Sequence, residues 1–397
     1  MHRNKIISII ILLCISLCGC NNYVDTNNSE STLLIQNLET SSSESDSSLT
    51  EQNLEEAENK ENDLLTSEFE VIEREAVFAK YEIPSREIAE EYFDTNNISG
   101  VDTASVCFDG EFIYAVLSCY QKEMSQLPDL GEMVIKYNIA SSDVEILMVQ
   151  PAGDMVRKMV LCEQNLFWIN SLEEWVIYRY DIEKEKITVF AQADSETEYN
   201  GSTAISAADG WFIYCEYFGK SDFKVHFYYI ASGEEVCFNQ TDFKFNSPFW
   251  MPDIEEDKAL VILSKWAGAK VAIMDLNLGE RMQEIDLSDG YGYGFMDGNG
   301  YIMYSNDYSY NNIWLYEMES GIEEKLYLAG EDVFQLRKYD GNFIIYRRYN
   351  EQPKFEIWDT KNKIKTIYEM NESLGQMSIC GEFLLFYNGR YVSIFKE

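Results

Sequence analysis

One short hydrophobic pattern recurs through residues 100–397, where a polar turn is followed by a run of apolar and aromatic residues. Five copies carry Gly at the second position of the turn, at 109–114, 209–214, 299–304, 340–345 and 380–385. Two copies without that Gly lie at 164–168 and 257–261. The copies recur every 40–55 residues, so the pattern predicts seven repeats of one structural unit.

Each repeat predicts four antiparallel strands. Asp-Gly and Asn-Gly pairs favour a two-residue hairpin turn, which joins the first two strands. Third strands are predicted at 134–139, 176–182, 225–230, 271–276, 313–318, 355–360 and 391–395. Fourth strands follow in six repeats, for example at 145–149, 186–190, 323–328 and 364–368, whereas the seventh repeat stops at Glu397 without one.

Repeated four-stranded units of this length predict an all-β fold, a β-propeller of seven four-stranded blades. Residues 69–77 alternate in polarity as a strand does, so we expect them to supply the missing strand of blade seven and close the ring. A short helix is predicted from Ser85. Six or eight blades remain alternatives if a degenerate copy is misjudged.

The N-terminus has the pattern of an export signal. A basic start is followed by an apolar run over residues 6–16, too short to span a bilayer permanently. The run ends in Leu17-Cys18-Gly19-Cys20, which resembles the lipobox of bacterial lipoproteins. This resemblance implies a signal peptide over 1–19, a lipid on Cys20, and attachment to the outer face of the cell membrane. An ordinary signal peptide with an incidental cysteine is the alternative.

Residues 20–66 are predicted to be a disordered tether between Cys20 and the folded domain, residues 67–397. Positions 21–66 are dominated by Ser, Glu, Asn, Thr and Leu and contain eleven acids and one Lys. Such a segment cannot bury enough apolar surface to offset its ordering entropy. The usage of Ile, Asn, Lys and Glu, together with the long tether, favours a Gram-positive surface.

The charge balance excludes one class of partner. The chain has 31 Lys and Arg against 69 Asp and Glu, a formal net charge of −38. The tether carries −10, and −30 belongs to residues 67–397. A protein of this charge is repelled by phosphate backbones, so no nucleic-acid partner is expected.

The repeats differ from WD repeats, because Trp358-Asp359 is their one Trp-Asp pair, and from kelch repeats, because no paired glycines recur. The Asp-Gly turn followed by strands such as 176–181 and 313–316 resembles the TolB-like or YWTD-like propellers of secreted bacterial lipoproteins. The resemblance covers about 300 residues. It implies a binding or scaffold protein and carries over no catalytic residues.

Candidate chemistry is sparse. His226 is the one histidine after the predicted signal peptide, so neither a serine-type triad nor a His-rich metal site is expected. We therefore predict no metal and no cofactor. Six cysteines follow Cys20, and we expect buried thiols because equivalent points of neighbouring blades usually lie too far apart for a disulfide. Paired carboxylates leave a carbohydrate-active enzyme on a propeller fold as the alternative function.

Aromatic residues fall in the predicted connections between second and third strands, which share one face of a propeller with the connections between blades. Flat rings amid Asn, Asp and Ser suit a glycan or a peptide. The predicted ligand-binding residues are Trp175, Tyr217, Trp266, Tyr308, Tyr310, Arg347 and Tyr349. The alternative is that these rings pack between blades. The sequence thus predicts a monomeric, non-catalytic module that binds a protein, peptide or glycan.

Overall fold

The computed structural model describes the greater part of residues 65–397. The described ranges are 65–93, 98–121, 128–151, 156–171, 175–193, 204–217, 223–239, 252–264, 268–288, 290–305, 312–327, 335–347, 353–371 and 374–397. The chain divides into two compact units, Met1–Ser67 and Glu68–Glu397. The predicted signal peptide, Cys20 and nearly all of the predicted tether lie outside the described residues. Within the described ranges, none of the helices has the length and apolar character needed to cross a bilayer.

The second unit consists of seven β-sheets, which are the seven predicted blades. Two strands precede blade one, namely β1 (Glu70–Glu75) and β2 (Ala79–Glu82). Blades one to three contain β3 (Gly100–Phe108), β4 (Phe112–Tyr120), β5 (Gly131–Asn138), β6 (Val144–Pro151); β7 (Val156–Cys162), β8 (Asn165–Ser171), β9 (Trp175–Asp181), β10 (Lys186–Gln192); and β11 (Ile205–Ala208), β12 (Trp211–Tyr217), β13 (Phe223–Tyr229), β14 (Glu235–Asn239).

The remaining blades follow the same order. They contain β15 (Asp253–Glu255), β16 (Lys258–Ser264), β17 (Lys270–Asp275), β18 (Glu280–Asp286); β19 (Tyr293–Met296), β20 (Tyr301–Ser305), β21 (Ile313–Glu317), β22 (Glu323–Tyr327); β23 (Gln335–Tyr339), β24 (Asn342–Arg347), β25 (Lys354–Asp359), β26 (Ile364–Glu369); and β27 (Gln376–Cys380), β28 (Phe383–Asn388), β29 (Tyr391–Phe395). The third strands begin within three residues of their predicted starts, so the repeat pattern located the blades correctly.

The first strands of successive blades contact one another in the order β3, β7, β11, β15, β19, β23 and β27, and β27 returns to β3. This closed series makes the first strands the inner strands of the ring and confirms seven blades over six or eight. Within each blade, neighbouring strands pair antiparallel, as the hairpin turns require.

The Asp-Gly turns are formed in two different ways. Both central residues have positive φ at Asp209-Gly210 and Asp340-Gly341, which is the two-residue hairpin geometry that the sequence predicted. In the Asp109-Gly110 turn of blade one, only Gly110 has positive φ. There the Asp109 carboxylate instead accepts the backbone N–H groups of Glu111 and Phe112, at 2.9 and 2.7 Å. An aspartate therefore favours the turn through its side chain even where its own φ is not positive.

The ring is closed by an N-terminal strand, as predicted, but the prediction that residues 69–77 form it was wrong. β1 lies parallel to β26 at the outer edge of blade six. The closing strand is β2, which pairs antiparallel with β29 and completes blade seven. Between the two strands, the Phe78 ring packs 5.6 Å from Phe386 and 5.9 Å from Phe395, so it anchors the crossing from blade six to blade seven.

The predicted helix is α1 (Ser85–Tyr92), which follows β2 and precedes blade one. It buries Ile88 and Ala89, whereas Tyr92 is 53% exposed. The apolar core lies between blades, where the faces of neighbouring sheets cover each other. Rings stack across these boundaries, as Phe167 of blade two does on Phe212 of blade three at 3.9 Å.

Candidate functional site

The three predicted ligand-binding residues that the structure describes, Trp175, Tyr217 and Arg347, lie at strand ends on one edge of the ring. At this edge the second strands end, the third strands begin and the blade-to-blade connections pass; we call it the connector edge. Tyr217 ends β12 and pairs with Phe223 at the start of β13, which places its backbone at this edge. Four of the predicted residues lie outside the described ranges, namely Trp266, Tyr308, Tyr310 and Tyr349.

Trp175 begins β9 at the connector edge, but its side chain is only 3% exposed. Its ring lies 6.3 Å from Tyr214 of blade three, within the apolar cluster between the two blades. Trp175 therefore packs between blades, as the alternative interpretation proposed, and does not offer an exposed ring face to a ligand.

Arg347 ends β24 at the same edge and braces two blades. Its guanidinium lies 4.1 Å from the centre of the Tyr327 ring, on the fourth strand of blade five. It also lies 3.7 Å from a carboxylate oxygen of Glu356, which is 1% exposed.

The Glu356 carboxylate has three further side-chain partners. Lys365 Nζ lies 3.1 Å from its second oxygen, and Trp358 Nε1 donates to that oxygen at 3.2 Å. The Tyr327 hydroxyl donates to the same oxygen. A buried carboxylate is retained only where charge and hydrogen bonds compensate its desolvation, and this network supplies both. The positive charge of Arg347 is thus paired with a buried carboxylate of the propeller itself.

A second buried carboxylate braces blades one and two. Glu132, on β5, is 1% exposed and accepts the Ser118 hydroxyl at 2.5 Å. Its other oxygen accepts the backbone N–H of Val156, the first residue of β7. Burial, with a further contribution from Glu132, raises the pKa of the nearby Cys119 thiol to about 12, so that thiol is protonated at neutral pH.

A third ionic cluster lies on the inner strands and consists of Lys338, Asp253 and Glu255. Lys338 of blade six reaches blade four, where its Nζ lies 3.3 Å from Asp253 and 2.9 Å from Glu255. Burial raises the pKa of Asp253 to about 6, although the Lys338 ammonium opposes that shift. Burial alone would lower the pKa of Lys338, but the two carboxylates raise it above its ordinary value. The two acids therefore converge on a cation that ties blade six to blade four across blade five.

Sequence reasoning missed Glu132 and Glu356 as bracing residues. One signal was available, since Glu356 stands between Phe355 and Ile357 in a strand that the repeat places between two blades. An acid in a strand covered on both faces must have a partner. The identity of that partner depends on the packing of neighbouring blades, which the repeat pattern does not specify.

The described cysteines form no disulfide with one another. The expectation of buried thiols is confirmed for five of them and was wrong for Cys237, which is exposed. Cys107 of blade one and Cys380 of blade seven interact across the boundary between their blades. Both lie near the ends of inner strands, where neighbouring blades converge. The interaction with Cys380, together with burial, raises the pKa of the Cys107 thiol well above its ordinary value.

Comparison with known proteins assigns this chain to no family. No family model matches the chain, and no curated protein matches it. Among solved structures, a chain of the crystal structure of the mitotic checkpoint complex is 9% identical with a TM-score of 0.48, covering 93% of this chain and 99% of that chain. KlHsv2 with its loop 6CD replaced by a Gly-Ser linker is 7% identical with a TM-score of 0.45, covering 73% of this chain and 90% of that chain.

Proposed function

We propose that this chain is a membrane-anchored, extracytoplasmic lipoprotein of the TolB-like or YWTD-like kind, whose propeller binds a protein, peptide or glycan and performs no chemistry. The observation that carries the binding role is the construction of the connector edge. Buried carboxylates, Glu132 and Glu356, fix the strand ends there to the neighbouring blade. A rigid rim that carries variable connections is a common arrangement of a binding surface.

The charged groups of the described blades support binding over catalysis. A carbohydrate-active enzyme needs two carboxyl groups that face a substrate, one of them protonated. In the described residues, Asp253 and Glu255 instead face Lys338, and Glu356 faces Arg347 and Lys365. These acids are compensated by cations of the scaffold itself, so they brace the ring.

A ligand is expected on the aromatic residues of the connector edge. The purified lipid-anchored chain, held in detergent micelles, should be tested against soluble cell-wall glycan fragments and surface-protein peptides, with mass spectrometry of each recovered ligand. Trp266→Ala and Tyr308→Ala should each weaken binding about 10-fold or more, because an aromatic anchor carries much of the energy of such a contact. Cleaved ligand would overturn the non-catalytic role.

Leu278 offers a matched control. It is 71% exposed in the turn between β17 and β18, at the opposite edge of the ring. Leu278→Ala should leave affinity unchanged. Equal losses from Leu278→Ala and Trp266→Ala would place the binding surface elsewhere and contradict the connector-edge proposal.

The anchor has its own test. In a Gram-positive host fed an alkyne-labelled fatty acid, the chain should acquire the label and Cys20→Ser should not. Cys18→Ser is the matched control, because it removes a neighbouring thiol and keeps the small residue that the lipobox resemblance requires. Label retained in Cys20→Ser would refute lipidation at that residue. A stable attachment needs two acyl chains, so the Cys20→Ser protein should be released into the medium.

A further inference from the structure

The outer half of blade three brings an imidazole, a thiol and two carboxylates together. His226 on β13 pairs with Tyr214 on β12 and with Cys237 on β14, so the three side chains project from the same face of the sheet. Glu216 and Glu235 lie two residues from Tyr214 and Cys237, and the two-residue period places both on that face as well.

Three different Lewis bases converge on one point. His226 Nδ1 lies 2.5 Å from Glu235 Oε1 and 2.9 Å from Cys237 Sγ. Cys237 Sγ lies 4.0 Å from Glu235 Oε1, and the donor atoms of the three residues all lie within 4.8 Å of one another. One sulfur, one imidazole nitrogen and one carboxylate oxygen form the type of donor set that binds zinc and neighbouring transition metals.

The imidazole is already oriented for this role. Glu216 Oε2 lies 3.2 Å from His226 Nε2, and the ring stacks on Tyr214 at 4.3 Å with an angle of 8° between the planes. When Nε2–H donates to Glu216, the Nδ1 lone pair points toward Cys237 and Glu235. A carboxylate that holds the far nitrogen of a ligating histidine is the usual outer partner in metal sites.

Hydrogen bonds alone do not pair all of the lone pairs in this cluster. Nδ1 carries at most one hydrogen, yet it faces both a carboxylate oxygen and a sulfur. A single cation among the three atoms accepts all of their lone pairs at once. The Tyr214 hydroxyl donates to Glu235 Oε1 at 3.2 Å and so orients that carboxylate further.

We propose that His226, Glu235 and Cys237 bind one divalent transition-metal ion, with Zn²⁺ the best match to the donors, and that Glu216 positions the histidine. The ion replaces the thiol proton, which leaves to solvent as H⁺. Three protein ligands leave a fourth position for water, and the exposure of Glu235 and Cys237 gives the ion access from solvent. The site ties β13 to β14 and is independent of the ligand proposed for the connector edge.

The experiment uses the full chain after chelation and dialysis, titrated with Co²⁺ and then with Zn²⁺. The parent should develop a thiolate-to-cobalt charge-transfer band that saturates at one ion per chain and disappears when Zn²⁺ displaces it. Cys237→Ser should lose that band, and because Cys237 is exposed this variant should fold. A band that persists unchanged in Cys237→Ser would overturn the proposal, since it would come from another thiol, and so would the absence of any band in the parent.

Two further variants separate a built site from general attraction to an acidic surface. Glu234→Gln removes an exposed neighbouring acid outside the cluster and should leave the Zn²⁺ affinity unchanged. Glu216→Gln should keep the cobalt band but weaken Zn²⁺ binding about 10-fold, the effect expected of a positioning residue. Equal weakening by both variants would indicate non-specific binding and contradict the proposal. Zn²⁺ should raise the Tm of the parent and leave that of Cys237→Ser unchanged, whereas equal rises would contradict it.

Discussion

At the scale of single residues, the buried carboxylates of this propeller matter more than its many exposed acids. Glu356 is 1% exposed, and four side chains supply its compensation. Exposed ion pairs, in contrast, contribute little because water and salt screen them. This difference between buried and exposed ion pairs predicts which of two arginine substitutions costs more unfolding free energy.

Arg347→Ala should lower the free energy of unfolding by about 2 kcal/mol, since it removes one cation from a buried carboxylate and leaves Lys365 as its ionic partner. Arg390→Ala is the matched control, because the Arg390 pair with Glu82 is about half exposed, and its cost should stay below about 1 kcal/mol. Urea unfolding followed by tryptophan fluorescence measures both variants. Equal losses would mean that Arg347 does not brace blade six.

Asp253 predicts a pH dependence of stability. Burial raises its pKa in the folded chain to about 6, whereas an unfolded aspartate titrates near 3.8. The folded state therefore takes up a proton between about pH 6 and pH 4 that the unfolded state does not. The contribution of Asp253 to stability is complete below the unfolded pKa and is lost as the pH rises through about 6.

The measurement is the difference in unfolding free energy between the parent and Asp253→Asn at pH 7.5 and pH 4.5. The parent should gain on the order of 1–2 kcal/mol relative to the variant as the pH falls. Asp143→Asn, at an exposed position, controls for the removal of one acid. A difference that stays constant with pH would show that Asp253 titrates alike in both states.

At the scale of strands, the repeat pattern predicted nearly everything that lies inside a blade. Apolar runs after a turn locate β4, β8 and β12, because these second strands are buried on both faces. The pattern failed at the N-terminus for a physical reason. The polarity of β1 alternates along the sequence, yet the strand is almost wholly exposed and pairs parallel to β26. The closing strand β2 has only four residues, which are too few to show a recognisable alternation.

The candidate sites were less predictable than the strands. The connector edge follows from the order of strands, so Tyr217 and Arg347 could be assigned to it from sequence. The burial of Trp175 depends on contact with Tyr214 of the next blade. The meeting of His226 with Cys237 depends on the register between β13 and β14, which the repeat pattern did not assign.

The two N-terminal strands should differ in their effect on stability. A chain that begins at Phe78 loses β1, and its Tm should fall by a few degrees. A chain that begins at Pro84 also loses β2, which leaves β29 as an open edge, so its Tm should fall by at least several degrees more. Thermal unfolding by circular dichroism makes the comparison.

Phe78→Ala in the full chain separates the ring from the strand, because the chain that begins at Pro84 lacks both. It should lower the free energy of unfolding by about 3 kcal/mol, the cost of a cavity among Phe355, Phe386 and Phe395. If the two truncated chains melt at the same temperature, β2 does not close the ring in solution.

At the scale of the whole molecule, the acid excess acts on every blade at once. The net charge of −38 is spread over a folded head and a predicted tether. Self-repulsion of this size destabilises a compact state, and added salt screens it. The Debye length falls from about 20 Å to about 4 Å between 20 mM and 500 mM monovalent salt.

We therefore expect NaCl to raise the Tm by several degrees over this range, because long-range repulsion among the acids is screened while buried pairs such as Lys338 with Asp253 are screened much less. A triple variant, Glu73→Lys, Glu91→Lys and Glu319→Lys, makes the charge less negative by six units at exposed positions. It should melt higher than the parent at 20 mM salt and show a smaller salt dependence. General effects of NaCl on water act on both chains alike, so the difference between their slopes isolates the electrostatic part. A parent whose Tm falls as salt is added would show that attraction within the ion pairs, and not repulsion across the ring, dominates its electrostatics.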